Sequence, residues 1–342
     1  MPSGETKLTR RGFLAGSIAT AVAATAGFSR VRGDDLEGKA LISITLDLEM
    51  SRHYPKRGMM EWDFRKGDLD DDTKKYSVEA GRVAKELGGK IHYFCVGRTL
   101  EQPDVEWLKG LAKAGHPIGN HTYDHVNVQA TSIPQAQFRF ERSPWLARGL
   151  SADALIKENI KLASVAMKER AGIEANGFRT PGGFHKGLDE RPDLQRMFLD
   201  LGFQWISSKY PAHLVGKEHE EPTAEVYAAI VAAQKQAQPY VYPQTGLIEV
   251  PMSPVSDVST YRSLFWKREW FLRAVRLGVE WAIENRACYD FLAHPSCLVV
   301  EDPQFEAVRL ICDLVKKAGD RAAIVGLDAL AERAKAMKSG KS

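Results

Sequence analysis

The 342 residues are 44% apolar and 27% charged, the composition of a globular chain long enough for one large domain or two ordinary ones. The formal charge of +3 belongs to the N-terminus: residues 1–33 carry Lys7, Arg10, Arg11, Arg30 and Arg32 against Glu5, which leaves −1 for residues 34–342. A broad basic surface for nucleic acid is therefore not expected.

Thr9-Arg10-Arg11-Gly12-Phe13-Leu14, followed by an Ala-rich, weakly apolar run to Phe28, reads as a twin-arginine export signal. The run is shorter than the roughly 20 residues that span a bilayer, so no stable transmembrane anchor is expected. Ala24-Thr25-Ala26 has the small-x-small form of a cleavage site. Residues 1–33 are read as the signal peptide and residues 34–342 as one catalytic domain, exported to the periplasm or beyond. Cys95, Cys288, Cys297 and Cys312 lie far apart and are expected as buried thiols, with Cys288 to Cys297 or Cys312 as the alternative pairing that export would permit.

From Lys39 onward, strand and helix patterns alternate. Lys39 to Asp47 is a strand, Thr73 to Leu87 a helix stopped by Gly88-Gly89, Ile91 to Val96 a strand, Asp104 to Ala114 a helix, and His116 to Asn120 a short strand. A polar and aromatic insertion, Val126 to Leu150, precedes a long helix from Ala152 to Arg170; a strand then ends at Gly177-Phe178-Arg179, and a helix covers Leu194 to Leu201. Phe203 to Ser207, Leu247 to Val250, Tyr289 to Ala293 and Ala322 to Val325 continue as strands. The helices between and after them are Ala224 to Ala237, Lys267 to Arg286, Gln304 to Ala318 and Leu327 to Ala336. Seven or eight βα units with short joints predict an α/β fold, a (β/α)7-8 barrel. A doubly wound open sheet is the runner-up, disfavoured because no Gly-rich phosphate loop follows the first strand.

In a parallel barrel, chemistry collects where the strands end. Four strand ends carry ionisable groups: Asp47-Leu48-Glu49, His121 to His125, Arg179-Thr180-Pro181-Gly182-Gly183, and His294-Pro295. Two imidazoles four residues apart can address one metal ion, and carboxylates from another strand end can complete its shell. His92 and His116 lie within strand or turn patterns and read as structural. His213 and His219 belong to a charged loop, and His53 and His185 follow the site motifs closely enough to line a pocket. Asp124, between the paired histidines, is expected to cap or to hydrogen-bond behind a ligand rather than ligate.

Together these segments resemble the polysaccharide deacetylase family, carbohydrate esterase family 4. Thr45-Leu46-Asp47-Leu48-Glu49 resembles its first motif, His121-Thr122-Tyr123-Asp124-His125 its H-[ST]-x-x-H motif, Arg179-Thr180-Pro181-Gly182 its R-x-P motif, and Leu292-Ala293-His294 its L-x-H motif. The resemblance implies a distorted polysaccharide deacetylase-like barrel and one divalent transition metal ion, zinc first, with cobalt or nickel as alternatives. By this resemblance His121 and His125 are metal ligands, Asp47 the general base, Arg179 its orienting partner and His294 the general acid. Main-chain N–H groups near Gly182 would serve the oxyanion, with Trp205 beside them toward the substrate. The family's common first motif has two adjacent aspartates, and Leu48 stands in place of the second. Residues 47 and 49 share one side of a strand, so Glu49 is the expected metal carboxylate. Trp205 lacks an adjacent Asp, and Asp257 is the candidate carboxylate behind His294.

The resemblance implies a metal-dependent hydrolase that removes N-acetyl groups from an amino-sugar oligomer or a cell-envelope polysaccharide. The alternatives are hydrolysis of a non-sugar amide or cyclic ureide and an inactive carbohydrate-binding relative. Carbohydrate or small amide and the twin-arginine export machinery are the expected partners. Tyr54, Met59, Met60, Trp62 and Phe64, then Phe138, Phe140 and Trp145, then Tyr261, Phe265, Trp266 and Trp270 supply loop surfaces that could receive a sugar face or pack the loops together.

Overall fold

Strand β1, Ala40–Leu48, is buried along its whole length, and its two faces do different work. Ala40, Ile42, Ile44, Leu46 and Leu48 pack outward into the largest apolar cluster, among helical residues such as Val83, Phe271 and Ile311. Ser43, Thr45 and Asp47 face the other way, where their side chains meet Val325, Asp290 and Arg179. Period-2 alternation thus separates packing from chemistry on one strand. The computed structural model describes residues 36–51 and 65–340.

After β1 come α1 (Asp71–Glu86), β2 (His92–Cys95), α2 (Glu106–Lys113) and β3 (Ile118–Asn120). Two short helices, α3 (Ile133–Ala136) and α4 (Phe138–Arg142), lie in the insertion before α5 (Ala152–Ala171). Then follow β4 (Phe178–Phe184), α6 (Pro192–Asp200), β5 (Trp205–Lys209), α7 (Ala224–Gln236), β6 (Tyr240–Val241) and β7 (Ile248–Glu249). The chain closes with α8 (Arg268–Glu284), β8 (Cys288–Ala293), α9 (Pro295–Glu301), α10 (Glu306–Ala318), β9 (Ala322–Ile324) and α11 (Leu327–Lys338). Local chemistry sets several boundaries. Asp70 caps α1 by accepting from Thr73 N–H at 2.8 Å, and α5 runs from a Ser151 cap to Gly172 in the left-handed conformation.

The sheet order is β6-β7-β5-β4-β3-β2-β1-β8, parallel throughout except for β6, which forms an antiparallel pair with β7. β9 pairs with the first half of β1, and β2 with the second half. The gap between β7 and β8 is bridged by irregular chain: Ser253 N–H donates to the Asp290 carbonyl at 3.0 Å, and Ser256 pairs with Leu292. This is a distorted, incompletely regular parallel barrel, and not the doubly wound alternative. The π-helical turn Val258–Ser263, the β6 hairpin and α9 are elements that periodicity did not reveal.

All four cysteines are buried free thiols. Among the described residues no helix is long and apolar enough to cross a membrane. The leader, His53 and the aromatic run from Tyr54 to Phe64 lie outside the described residues.

Candidate metal centre

Each anticipated strand end delivers its side chains to one place. β1 brings Asp47 and, one turn-forming step later, Glu49, whose N–H donates to the Asp47 carbonyl at 2.9 Å. The segment after β3 brings His121 and His125. Thr122 and His125 adopt positive φ, 57° and 60°, a conformation uncommon for residues with a side chain. Asn120 and Asn159 make that loop shape affordable. Asn120 Oδ1 accepts from Thr122 N–H at 2.8 Å, and Asn159 Oδ1 accepts from the N–H groups of Tyr123 and Asp124 at 2.9 and 2.8 Å. Asp124 accepts in turn from Asn159 Nδ2 at 2.8 Å and pairs with Arg139, so it braces the loop and does not face the ligand cluster.

Glu49 Oε2 lies 2.6 Å from His125 Nε2 and 3.3 Å from His121 Nε2. These donor atoms all fall within 4.8 Å of one another, which suits one metal ion. The tautomer of His121 is fixed, because its Nδ1 is 2.9 Å from the Arg179 carbonyl oxygen, which can only accept. In the neutral ring, Nε2 is left with its lone pair toward Glu49. Oε2 is buried and makes no well-aligned hydrogen bond. A buried anionic oxygen without a donor, faced by imidazole nitrogens, is a cluster of electron-pair donors that a divalent cation would satisfy.

Burial alone would raise the Glu49 pKa, but His125 beside Oε2 and the Lys66 ammonium on Oε1 hold it well below the ordinary value. Burial is also the main reason the His125 pKa falls to about 4, which keeps that ring neutral as a ligand requires.

Beside the cluster lies a second network. Arg179 is fully buried, with its guanidinium 4.5 Å from the centre of the Phe94 ring. Its Nη1 donates to Asp47 Oδ1 at 3.2 Å and to the Thr45 hydroxyl at 2.6 Å, its Nη2 pairs with Asp290, and Ser207 Oγ accepts from Nη2 and Nε at 3.2 and 3.3 Å. One guanidinium is therefore shared by two carboxylates. The other Asp47 oxygen, Oδ2, is 3.8 Å from His121 Nε2 and 4.0 Å from His294 Nε2, facing the space between them.

His294 follows β8 and is held by Asp257, which lies next to the π-helical turn. Asp257 Oδ2 accepts from the His294 N–H at 2.8 Å, and Oδ1 sits 2.8 Å from His294 Nδ1. Burial would depress the His294 pKa, but the Asp257 carboxylate overcomes it and the net shift is upward. His294 Nε2 points to the cluster, 3.6 Å from Glu49 Oε1.

Gly182 lies in the exposed bend of β4 with φ of 73°, and an added Cβ would meet nothing within 4 Å. Trp205 is a correction. It is the first residue of β5, at the end of the strand opposite the ionisable groups, 8% exposed and packed edge-on to Phe94 and His92. A residue there supports the barrel floor and cannot reach substrate beside Gly182. The loop aromatics divide similarly: Phe140, Tyr261, Trp266 and Trp270 are buried, whereas Trp145 is 69% exposed and Phe265 stacks on His219 at the surface.

His92 and His116 are structural, as expected. His92 Nε2 faces the Asn176 carbonyl at 3.0 Å while Nδ1 accepts from Leu327 N–H at 3.2 Å, and His116 Nδ1 accepts from Ile91 N–H at 3.1 Å. Burial lowers both pKa values to about 4. His185 is exposed, its Nδ1 3.1 Å from the Tyr210 carbonyl oxygen, and His213 is turned to its neighbour Leu214. Two participants were missed in the sequence. Asp290 had a usable signal, because 290 and 292 share the face of β8 that leads to His294 and an aspartate inside an apolar strand needs a partner. Lys66, whose ammonium contacts Glu49, had none.

Residues 68–190 match the polysaccharide deacetylase family, a span that holds the His121–His125 and Arg179–Gly182 motifs but neither β1 nor β8. No curated protein matches the chain. Among solved structures, the chain is similar to a probable polysaccharide deacetylase from Pseudomonas aeruginosa PAO1, with TM-score 0.58, 13% identity, and coverage of 88% of this chain and 92% of the other. It is similar to the Puue allantoinase with TM-score 0.59, 12% identity, and coverage of 90% and 93%. These likenesses concern the fold.

Proposed function

From a chain that carries a polysaccharide deacetylase domain, we propose a metal-dependent hydrolase that releases acetyl groups from N-acetylated amino sugars. One observation carries the reading: an imidazole-imidazole-carboxylate cluster lies between a carboxylate held by Arg179 and an imidazole held by Asp257. That is an acid and a base on either side of a place where water and an amide can meet.

Glu49 Oε2, His121 Nε2 and His125 Nε2 would hold the ion, with zinc favoured by two nitrogens and one oxygen and cobalt or nickel as substitutes. When bound, the ion activates water and polarises the acyl oxygen. Asp47 Oδ2 accepts the proton that water loses as its oxygen bonds to the acyl carbon. Arg179 on Oδ1 fixes which oxygen faces inward. Main-chain N–H groups near Gly182 supply donors to the acyl oxygen as it gains charge. His294 Nε2 gives its proton to the nitrogen as the C–N bond breaks, and Asp257 holds the Nδ1–H through that change. Acetate and a free amine result.

The twin-arginine leader supports action outside the cytoplasm, after export of a folded chain. A second reading is hydrolysis of a non-sugar C–N bond, favoured by the likeness in fold to an allantoinase. Acetate release from N-acetylglucosamine oligomers with added zinc, cobalt or nickel, compared between wild type and Asp47→Asn, tests the first reading. Release that Asp47→Asn abolishes supports it. Turnover of small amides or cyclic ureides alone supports the second, and sugar binding by metal-loaded protein without turnover of either class defeats both.

A further inference from the structure

Lys66 is 5% exposed, and its ammonium rests on Glu49 Oε1, the oxygen turned away from the two imidazoles. The contact is built into the fold. The Lys66 carbonyl accepts from Met50 N–H at 2.9 Å, which ties its backbone to the residue after Glu49, and the Gly67 carbonyl accepts from the Thr99 hydroxyl at 3.3 Å. A side chain at Gly67 would fall 2.5 Å from Arg98 Cβ, so the chain runs too close to its neighbour for any residue but glycine.

We propose that Lys66 is the internal counter-cation of the metal centre: it neutralises Glu49 in the metal-free protein and weakens the centre's hold on a divalent ion. The inference rests on the metal reading above. A buried carboxylate needs a partner, and Glu49 without metal has Lys66 as its direct cationic one besides whatever charge the imidazoles carry. An incoming ion must then share that carboxylate with a fixed positive charge. A carboxylate behind a ligating histidine makes the ligand more basic; an ammonium on a ligating carboxylate does the opposite. Repulsion between the two cations acts in the same direction and is screened less between buried groups than at the surface. Orientation of Glu49 by Lys66 acts the other way, but it concerns the rotamer freedom of one side chain, a smaller effect than a unit charge at ion-pair range.

The test is zinc affinity by competition with a chromophoric chelator, with thermal unfolding of metal-free and zinc-loaded protein, for wild type, Lys66→Met and Lys66→Arg. Lys66→Met should bind zinc about tenfold more tightly while its metal-free form melts several degrees lower. Lys66→Arg, which keeps the charge, should stay near wild type in both. Equal or weaker zinc binding by Lys66→Met overturns the proposal and leaves the metal reading standing, whereas no zinc in any of the three proteins overturns both. Should metal-free Lys66→Met fail to stay folded, the proposal requires zinc to restore it, because zinc supplies the charge the ammonium supplied; failure of that rescue overturns it.

Discussion

His294 and Asp257 are joined twice, through the His294 backbone N–H to Oδ2 and between Nδ1 and Oδ1, each at 2.8 Å. The backbone bond places the carboxylate, and the ring contact sets what the imidazole does with its proton. Asp257→Asn keeps an acceptor for the backbone N–H but removes the negative charge that raises the His294 pKa. The expected result is a fall in kcat of about 10²- to 10⁴-fold with little change in KM. His294 must be protonated to serve as acid, so activity falls as pH rises through its pKa. Losing Asp257 should move that fall to lower pH, which a kcat–pH profile of the residual activity would show.

Asp290 shares Arg179 with Asp47, so two buried carboxylates oppose one guanidinium. Burial raises the Asp290 pKa to about 6 in spite of Arg179. Because the folded value lies above the unfolded one, near 3.9, the folded chain holds this proton more tightly. The corresponding stability is full below about pH 4 and is lost as pH rises through about 6. Asp290→Asn should remove that loss: urea unfolding should find the variant more stable than wild type at pH 8 by about 1–3 kcal/mol, with the advantage gone at pH 4. Arg179 keeps Asp47 as its partner, so the substitution does not strand a buried charge. A variant equally destabilised at both pH values would show that the ion pair outweighs the cost of burial.

The barrel and the strand-end residues were legible because both obey short-range periodicities. Leu48 and Glu49 illustrate this: alternation on β1 sends one to the core and the other to the cluster without any knowledge of the partners. Asp257 could be named from the polar strand end after β7, although its contact with His294 depends on an irregular π-helical turn that no period encodes. Lys66 was invisible for a related reason. It lies on a loop, and its approach to Glu49 is decided by the Met50 N–H on its own carbonyl and the Thr99 hydroxyl on the Gly67 carbonyl. Trp205 was misplaced because its role was carried over from the resemblance, although a place before the end of a parallel strand already sets it away from the ionisable ends.

Gly177 shows how closely that floor is fitted to the site above it. Its φ is 74°, and an added Cβ would lie 2.0–2.4 Å from three atoms of the Trp205 indole ring. Gly177→Ala therefore combines backbone strain with a clash against a ring held by Phe94 and His92. A loss of about 2–4 kcal/mol in urea unfolding is expected. Phe178 and Arg179 follow directly, so activity measured well below the unfolding midpoint should also decline. Gly177→Ala with Trp205→Leu should recover part of the stability, since it removes the clash but not the strained φ.

Leu48, which stands between Asp47 and Glu49 at the end of β1, yields the last prediction. Leu48 is fully buried, pairs with Cys95 across β1 and β2, and packs into the outward cluster, so placing an aspartate there would aim a carboxylate at the apolar core. Leu48→Asp removes a buried leucine and introduces an unpaired charge, which together should cost about 4 kcal/mol or more and yield mostly unfolded or aggregated protein without added zinc content. Glu49→Gln should behave in the opposite way. It is isosteric but takes the negative charge from the carboxylate that the Lys66 ammonium contacts, so some stability should be lost, while in the protein that remains folded zinc bound after dialysis falls at least about tenfold and activity falls with it. The pair separates position from composition: a carboxylate is needed on the inward side of this strand end, and sequence adjacency to Asp47 is no substitute for facing the same way. Unchanged zinc content in folded Glu49→Gln would remove Glu49 from the ligand set and leave the two imidazoles in need of another partner.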